Sequence, residues 1–178
     1  MKKALRDGSI NASAVSSVVG TMEKTTAKSN PQAVLHPEAF QVWLVEDSEA
    51  DELLMRAALK LDGLDCEFQV SPDGEKAIEF IEAVDNGEVW HKPHVVLLDL
   101  NLPRKGGAKV LERIRHSPKC SRVPVVIVTS SDSPSDKSQV SRLGATRYFQ
   151  KPLDLVEFMK LGPLVREILS VNGSATHS

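Results

Sequence analysis

Asp99 ends an apolar run, and a carboxylate in that position could act as a nucleophile or hold a cation. The run covers residues 94–98 and fits a strand that is buried on both faces of a sheet. Open parallel sheets place their ligands at the carboxyl ends of their strands. A lone Asp is more often a turn or helix cap. Whether Asp99 does chemistry therefore depends on which other side chains reach the same edge.

Further polar groups follow other predicted strands. Glu46 and Asp47 follow the first strand, Thr129 ends the fourth, and Lys151 follows the fifth. Clustered carboxylates repel each other unless a cation lies between them, and oxygen ligands without His or Cys favour Mg²⁺. A carboxylate, a cation, a hydroxyl and a lysine are the groups that phosphoryl transfer to Asp99 needs, because the metal and Lys151 neutralise the moving oxygens.

The elements that must position these groups are short apolar runs that alternate with amphipathic stretches from residue 41 onward. This alternation is typical of βα units wound into a parallel sheet. The predicted strands lie within 42–45, 66–70, 94–98, 123–128 and 146–149. Helices are predicted between them, and the last helix is predicted over 153–169. The predicted fold class is therefore α/β, with a doubly wound five-stranded parallel sheet.

Composition predicts one soluble globular domain with residues to spare. The chain has 178 residues, of which 41% are hydrophobic and 26% charged, and this suffices for one core. The formal net charge is −2 and no dense Lys/Arg block occurs, which argues against nucleic-acid binding. The sequence shows neither a signal-peptide core nor an apolar stretch long enough for a membrane span. We expect a cytoplasmic protein without a membrane partner.

The domain is assigned to residues 41–170, with an extension at residues 1–40 and a flexible tail at residues 171–178. The extension is rich in Ser, Ala, Thr and Lys, which is typical of disorder. A docking or dimerisation arm is the alternative, because small apolar residues recur there at helical spacing. Cys66 and Cys120 show no metal-ligand spacing and indicate a reducing compartment. Trp43 and Trp90 are expected to pack rather than to bind a ligand.

Residues 42–169 resemble the receiver domain of two-component response regulators, which has a flavodoxin-like (βα)5 fold. The resemblance rests on an ordered set of residues: Glu46, Asp47, Asp99, Thr129, Tyr148, Lys151 and Pro152. The motifs VEDSEAD and LLDLNLP, and the long loop at 85–93, are most similar to stand-alone receivers that partner bacterial phytochromes. The resemblance thus implies that the partner is a sensor histidine kinase, and these motifs favour a kinase of the phytochrome type.

The resemblance implies a role for each residue around Asp99. Asp99 would accept a phosphoryl group from a phosphohistidine of the kinase in a Mg²⁺-dependent reaction. Asp47 and Asp99 would bind Mg²⁺ directly, Glu46 would hold a metal-bound water, and the backbone carbonyl of Asn101 would complete the protein ligands. Lys151 would pair with the phosphoryl oxygens.

The resemblance also implies a switch. Thr129 would hydrogen-bond a phosphoryl oxygen, and its movement would let Tyr148 swing inward. Pro152 is a candidate for a cis peptide bond. A phosphate adds about −1.5 to −2 charges, which can bias a two-state surface. The implied output surface consists of the fourth helix, the fifth strand and the last helix, and it would bind a downstream protein or a second copy of the chain.

Each of these side chains also has a structural alternative. Lys151 could be a solvated loop residue, Thr129 an ordinary strand residue and Tyr148 a core residue. The leading interpretation is a single-domain response regulator that signals by phosphorylation-dependent contact and is not a dedicated enzyme. The alternatives are a phosphorelay intermediate to a histidine phosphotransfer protein and a receiver-like docking module without phosphate. An aspartyl-phosphate hydrolase would need an acid at the position of Asn101.

Two stretches depart from the family pattern. Residues 104–107 read Arg-Lys-Gly-Gly where the family commonly has Asp before Gly, so the third helix lacks an N-cap side chain. Gly162 and Pro163 fall inside the predicted last helix, where a Pro causes a kink at a cost of about 3 kcal/mol or more. We expect this interruption to change the output face.

Overall fold

The computed structural model describes residues 39–89 and 91–173. The predictions for residues 1–38, for Trp90 and for residues 174–178 lie outside these ranges. Within the described residues, no helix is both long enough and apolar enough to cross a membrane.

Five parallel strands of the described chain form a sheet in the order β2-β1-β3-β4-β5. They are β1 (Phe40–Val45), β2 (Cys66–Ser71), β3 (Val95–Leu98), β4 (Val125–Thr129) and β5 (Arg147–Gln150). Every residue of β3 and β4 is buried, because helices cover both faces of the sheet there. The predicted α/β doubly wound, flavodoxin-like five-stranded parallel sheet is confirmed.

The helices of the described chain are α1 (Glu49–Leu61), α2 (Gly74–Asn86), α3 (Gly107–Arg115), α4 (Pro134–Arg142), α5 (Leu155–Phe158) and α6 (Leu161–Gly173). The side chains of Ser48, Asp73 and Ser133 each accept a backbone N–H at the start of α1, α2 and α4. Helix α3 starts after Gly106 without a side-chain cap, as expected from its sequence. Helices α1 and α4 thereby start only a short loop after the ends of β1 and β4.

The helices enclose a core on each face of the sheet. On one face Ile81 of α2 and Leu111 of α3 belong to the same buried cluster as Trp43. On the other face Leu59 of α1 and Val165 of α6 belong to a second cluster. The Trp43 side chain is fully buried, so its predicted packing role is confirmed. The strands are thereby held rigidly enough to position the groups at their ends.

The predicted interruption of the last helix is present, but it lies before Gly162 and Pro163 rather than at them. The helix is divided into α5 and α6, and the division lies at residues 159–160, before Gly162. Pro163 falls in the first turn of α6, where its missing N–H would have had no partner within the helix. Gly162 allows α6 to approach α1, because a Cβ atom there would lie 2.4 Å from the Ala58 carbonyl oxygen. Helix α6 also continues to Gly173, beyond the predicted domain end at residue 170.

Candidate functional site

Three strand ends bring the predicted residues together. Glu46 and Asp47 follow β1, Asp99 follows β3, and Lys151 follows β5. Backbone hydrogen bonds fix two of these positions: Asp99 N–H donates to the Val45 carbonyl at 3.0 Å, and Lys151 N–H donates to a β4 carbonyl at 2.8 Å. The edge of the parallel sheet therefore assembles the site, as the sequence predicts.

Lys151 forms the centre of this site. Its ammonium Nζ donates to Glu46 Oε2 at 2.8 Å, to Asp51 Oδ2 at 2.7 Å and to Asp99 Oδ2 at 2.9 Å. The exposed fraction of the side chain is 10% for Lys151, 1% for Glu46 and 6% for Asp99. These ion pairs are therefore largely shielded from solvent, and the alternative of a solvated loop lysine does not fit.

Burial and pairing act in opposite directions on the titration of these groups. Burial alone would lower the pKa of Lys151, but its hydrogen bonds to Asp51, Glu46 and Asp99 raise that pKa above its ordinary value. Burial raises the pKa of Glu46, and the bond from Lys151 only partly offsets this effect. The ammonium thus stays charged at neutral pH and compensates carboxylates that are costly to bury.

The same edge offers oxygen ligands for a cation. Glu46, Asp47 and Asp99 each offer a carboxylate oxygen, and these oxygens all lie within 4.8 Å of one another. Asp47 is exposed, so an ion could reach the group from solvent. Three carboxylates contact the ammonium, and Asp47 adds a fourth carboxylate to the same edge. An all-oxygen donor set with excess negative charge fits a hard divalent cation such as Mg²⁺.

Asn101 and Thr129 lie beside Asp99. The Asn101 backbone N–H donates to Asp99 Oδ1 at 3.1 Å, and its side-chain amide donates to Thr129 Oγ1 at 3.4 Å. Thr129 is fully buried, and its Oγ1 also accepts from the Ser131 N–H at 3.3 Å. Both carboxylate oxygens of Asp99 thus have a donor, and Thr129 connects the site with the loop after β4.

Tyr148 contacts that loop rather than the site. Its hydroxyl donates to the Ser131 carbonyl at 2.7 Å, and its half-buried ring lies under the Lys137 ammonium at 5.3 Å. Burial raises the pKa of Tyr148. Ser131 Oγ in turn donates to Asp136 Oδ2 at 2.6 Å. Hydrogen bonds therefore run from Thr129 through Ser131 to Tyr148.

The predicted cis bond before Pro152 is wrong, since no described peptide bond is cis. A trans bond is the lower-energy isomer of an X–Pro bond by about 0.5–1 kcal/mol. The trans form already lets the Lys151 side chain reach its three carboxylates, so nothing in the site requires the costlier isomer.

Two features of the site were not predicted from the sequence pattern: the contact of Asp51 with Lys151 and the contact of Arg104 with Asp73. Asp51 lies in the first turn of α1, where an acid is usually attributed to the helix dipole. The sequence did contain one indication of this contact: α1 starts only a short loop after β1, which keeps the first turn of the helix at the sheet edge. Arg104 has a left-handed φ of 63° and pairs with the buried Asp73 at 2.8 Å. This pair fixes the loop after Asp99 to the start of α2.

Comparison with known proteins agrees with this geometry. The family described as response regulator receiver domain matches residues 42–161. The response regulator Rcp1 of Synechocystis sp. is 35% identical over 134 residues, which cover 75% of this chain and 86% of that protein. The crystal structure of the phosphorylated cyanobacterial phytochrome response regulator RcpA matches with a TM-score of 0.68 and 29% identity, covering 75% of this chain and 96% of that chain. The crystal structure of Mn²⁺-bound Rcp1 matches with a TM-score of 0.64 and 34% identity, covering 70% of this chain and 91% of that chain.

Proposed function

This chain belongs to the response regulator receiver domain family, and on that premise we propose that it accepts a phosphoryl group on Asp99 from a sensor histidine kinase. The observation that carries the proposal is the bond of 2.9 Å from Lys151 Nζ to Asp99 Oδ2, beside the oxygens of Glu46 and Asp47. Receiver domains are signalling modules, and this one is of the Rcp1 type.

In the proposed reaction an oxygen of Asp99 forms a bond to phosphorus while the bond from phosphorus to the donor imidazole breaks. The imidazole nitrogen keeps the electron pair of the broken bond. The phosphoryl oxygens carry negative charge and need donors in fixed positions. Lys151 supplies a charged donor. Thr129 Oγ1 accepts its bonds from Asn101 and Ser131, so its own proton can be donated to a phosphoryl oxygen.

The residues that would hold Mg²⁺ are Asp47 and Asp99 directly, Glu46 through a water, and the backbone carbonyl of Asn101. When bound, the ion would neutralise the phosphoryl oxygens and the excess carboxylate charge. The support from this chain is the acidic group within 4.8 Å, and the support from a relative is the Mn²⁺-bound structure of Rcp1.

Phosphorylation would act on the surface through Thr129 and Tyr148. If the Thr129 hydroxyl turns to a phosphoryl oxygen, the loop at Ser131 loses one of its bonds, and the carbonyl that holds the Tyr148 hydroxyl can move. Tyr148 would then swing inward. The surface formed by α4, β5 and the last helices would bind a downstream protein or a second copy of the chain.

We propose a phytochrome-type sensor histidine kinase as the partner. The support is the similarity to RcpA, which is described as a cyanobacterial phytochrome response regulator, and to Rcp1. The reaction would take place in the cytoplasm, without nucleic acid or membrane as partner. A phosphorelay intermediate is the second candidate, because the same site could pass its phosphoryl group to a histidine phosphotransfer protein.

The test is labelling of the purified chain by acetyl phosphate and Mg²⁺, followed by intact mass. We expect one phosphoryl adduct that is stable in acid and labile in base. Asp99→Asn should lose the adduct. The control Asp65→Asn should keep it, because Asp65 lies before the start of β2, at the end of the sheet away from the site. An adduct that persists in Asp99→Asn would contradict the proposal. Transfer of the label to a purified histidine phosphotransfer protein would favour the relay.

A further inference from the structure

The shortest of the three bonds from the Lys151 ammonium goes to a residue outside the acidic group. Asp51 Oδ2 lies 2.7 Å from Nζ, compared with 2.8 Å for Glu46 and 2.9 Å for Asp99. Within the described chain, the carboxylates whose oxygens lie within 4.8 Å of one another are those of Glu46, Asp47 and Asp99, and Asp51 does not belong to that group. Asp51 therefore contacts the lysine but is not one of the candidate ligands of the cation.

We propose that Asp51 is a positioning residue that directs Lys151 at the phosphoryl group. Asp51 and Glu46 bind two of the three ammonium protons, so the third points to Asp99 and to whatever Asp99 carries. This inference rests on the proposed function of Asp99 as phosphoacceptor. The residue acts through Lys151 and does not touch the reacting atoms itself.

A lysine needs such anchors because its ammonium is a point charge on a flexible four-carbon stem with rotatable donors. The backbone of Lys151 is fixed by the bond from its N–H to the Thr129 carbonyl. A single anchor at Glu46 would still leave the ammonium free to rotate. A second anchor on another element, α1, fixes the direction of the third proton.

The helix itself holds the anchor in place. Asp51 N–H donates to Ser48 Oγ, which fixes the backbone of the first turn. The positive end of the helix dipole also attracts a negatively charged side chain there. Glu49 and Glu52 share that turn, but Glu52 pairs with Arg56 and Glu49 is exposed. The helix dipole thus acts on Glu49, Asp51 and Glu52 alike, whereas among these three acids it is Asp51 that contacts the lysine.

The experiment compares Asp51→Asn with Glu49→Gln, which removes a first-turn charge without this contact. The rate of labelling by acetyl phosphate in saturating Mg²⁺ is measured; a bond from Asp99 to phosphorus forms as the bond to acetate breaks. We expect Asp51→Asn to label about tenfold more slowly, because a charge-assisted hydrogen bond to a partly exposed carboxylate is lost. Glu49→Gln should label like the wild type, and Asp51→Glu should recover part of the rate.

Two further measurements separate positioning from a structural effect. In a Lys151→Met background, Asp51→Asn should cause no further slowing, because the residue acts through the ammonium. The ammonium ¹⁵N–¹H signal of Lys151, assigned by its loss in Lys151→Met, should be present in Glu49→Gln and broadened in Asp51→Asn. This signal is recorded without metal or phosphodonor.

An unchanged rate in Asp51→Asn, or the same slowing in the Lys151→Met background, would overturn the inference. A sharp ammonium signal in Asp51→Asn would also overturn it. If the wild type takes no label, the proposed function of Asp99 is wrong, while the ammonium signal still shows whether Asp51 anchors Lys151.

Discussion

Replacing Lys151 by methionine removes the cation from a site with two almost fully buried carboxylates. The exposed fractions are 1% for Glu46 and 6% for Asp99. Removing one partner of a buried ion pair costs about 3–5 kcal/mol, because the remaining charge is uncompensated. Asp51, at 30% exposure, can be rehydrated and adds little. Since burial raises the pKa of Glu46, its protonation limits the loss, and we expect about 3 kcal/mol in the metal-free protein.

The assay is urea unfolding of wild type and Lys151→Met, each with a chelator and with saturating Mg²⁺. A ligand that binds only the folded state stabilises it, and Mg²⁺ would bind the variant without competition from the ammonium. We therefore expect Mg²⁺ to raise the free energy of unfolding more for the variant than for the wild type. Lys76→Met is the control, because solvent screens the exposed pair of Lys76 with Glu79, so losing this pair should change the free energy of unfolding little.

Two results would refute this reasoning. The first is a metal-free loss for Lys151→Met no larger than that of the control, which would mean that the ammonium does not compensate the buried carboxylates. The second is an equal effect of Mg²⁺ on both proteins, which would mean that ion and ammonium do not interact with the same charges.

Three other predictions concern the scaffold. Gly107→Ala should lower the urea midpoint strongly and Gly106→Ala should not, because the new Cβ would lie 2.0 Å from a backbone oxygen in the first case and 3.6 Å in the second; equal midpoints would contradict this. His94 Nδ1 accepts the Gln41 N–H at 2.8 Å, and burial lowers the pKa of His94. The neutral imidazole should therefore stabilise the fold fully above pH 6.5, and this contribution to the free energy of unfolding should be lost as the pH falls through the lowered pKa. The difference in unfolding free energy between wild type and His94→Phe, measured against pH, checks this, and a constant difference would refute it. Pro163→Ala should change the free energy of unfolding by less than about 1 kcal/mol, because a proline in the first turn of a helix is tolerated. A larger gain in stability would show that Pro163 strains the helix.

The sequence predicts the sheet well because each strand carries its own signal. The runs that form β3 and β4 are apolar throughout, and strands buried on both faces require this. Once the sheet is parallel, the residues after β1, β3 and β5 must meet at one edge. Glu46, Asp99 and Lys151 were therefore predictable at one edge of the sheet, whereas their contacts also depend on the strand order.

The contacts that the sequence does not predict depend on side-chain reach between elements. Asp51 reaches Lys151 from a helix, 100 positions away in the chain. Arg104 pairs with Asp73 only because its left-handed backbone turns the loop toward α2. Gly162 lets α6 approach α1, because a Cβ atom there would lie 2.4 Å from the Ala58 carbonyl oxygen. Such contacts depend on the tertiary structure, and the pattern of residues that are neighbours in the sequence does not predict them.

The charges of the site relate the proposed Mg²⁺ ion to the lysine. The carboxylates of Glu46, Asp51 and Asp99 contact the ammonium of Lys151, Asp47 adds a fourth carboxylate to the site, and a phosphoryl group would add about −1.5 to −2 charges more. The ammonium alone does not balance that sum, which is the reason why a bound Mg²⁺ ion would favour the entry of an anion. Asp47 is exposed and belongs to the acidic group, whereas the three carboxylates that bind Lys151 are more buried. The buried carboxylates hold Lys151, whereas Asp47 and Asp99 would hold Mg²⁺, so Asp99 would contact both cations.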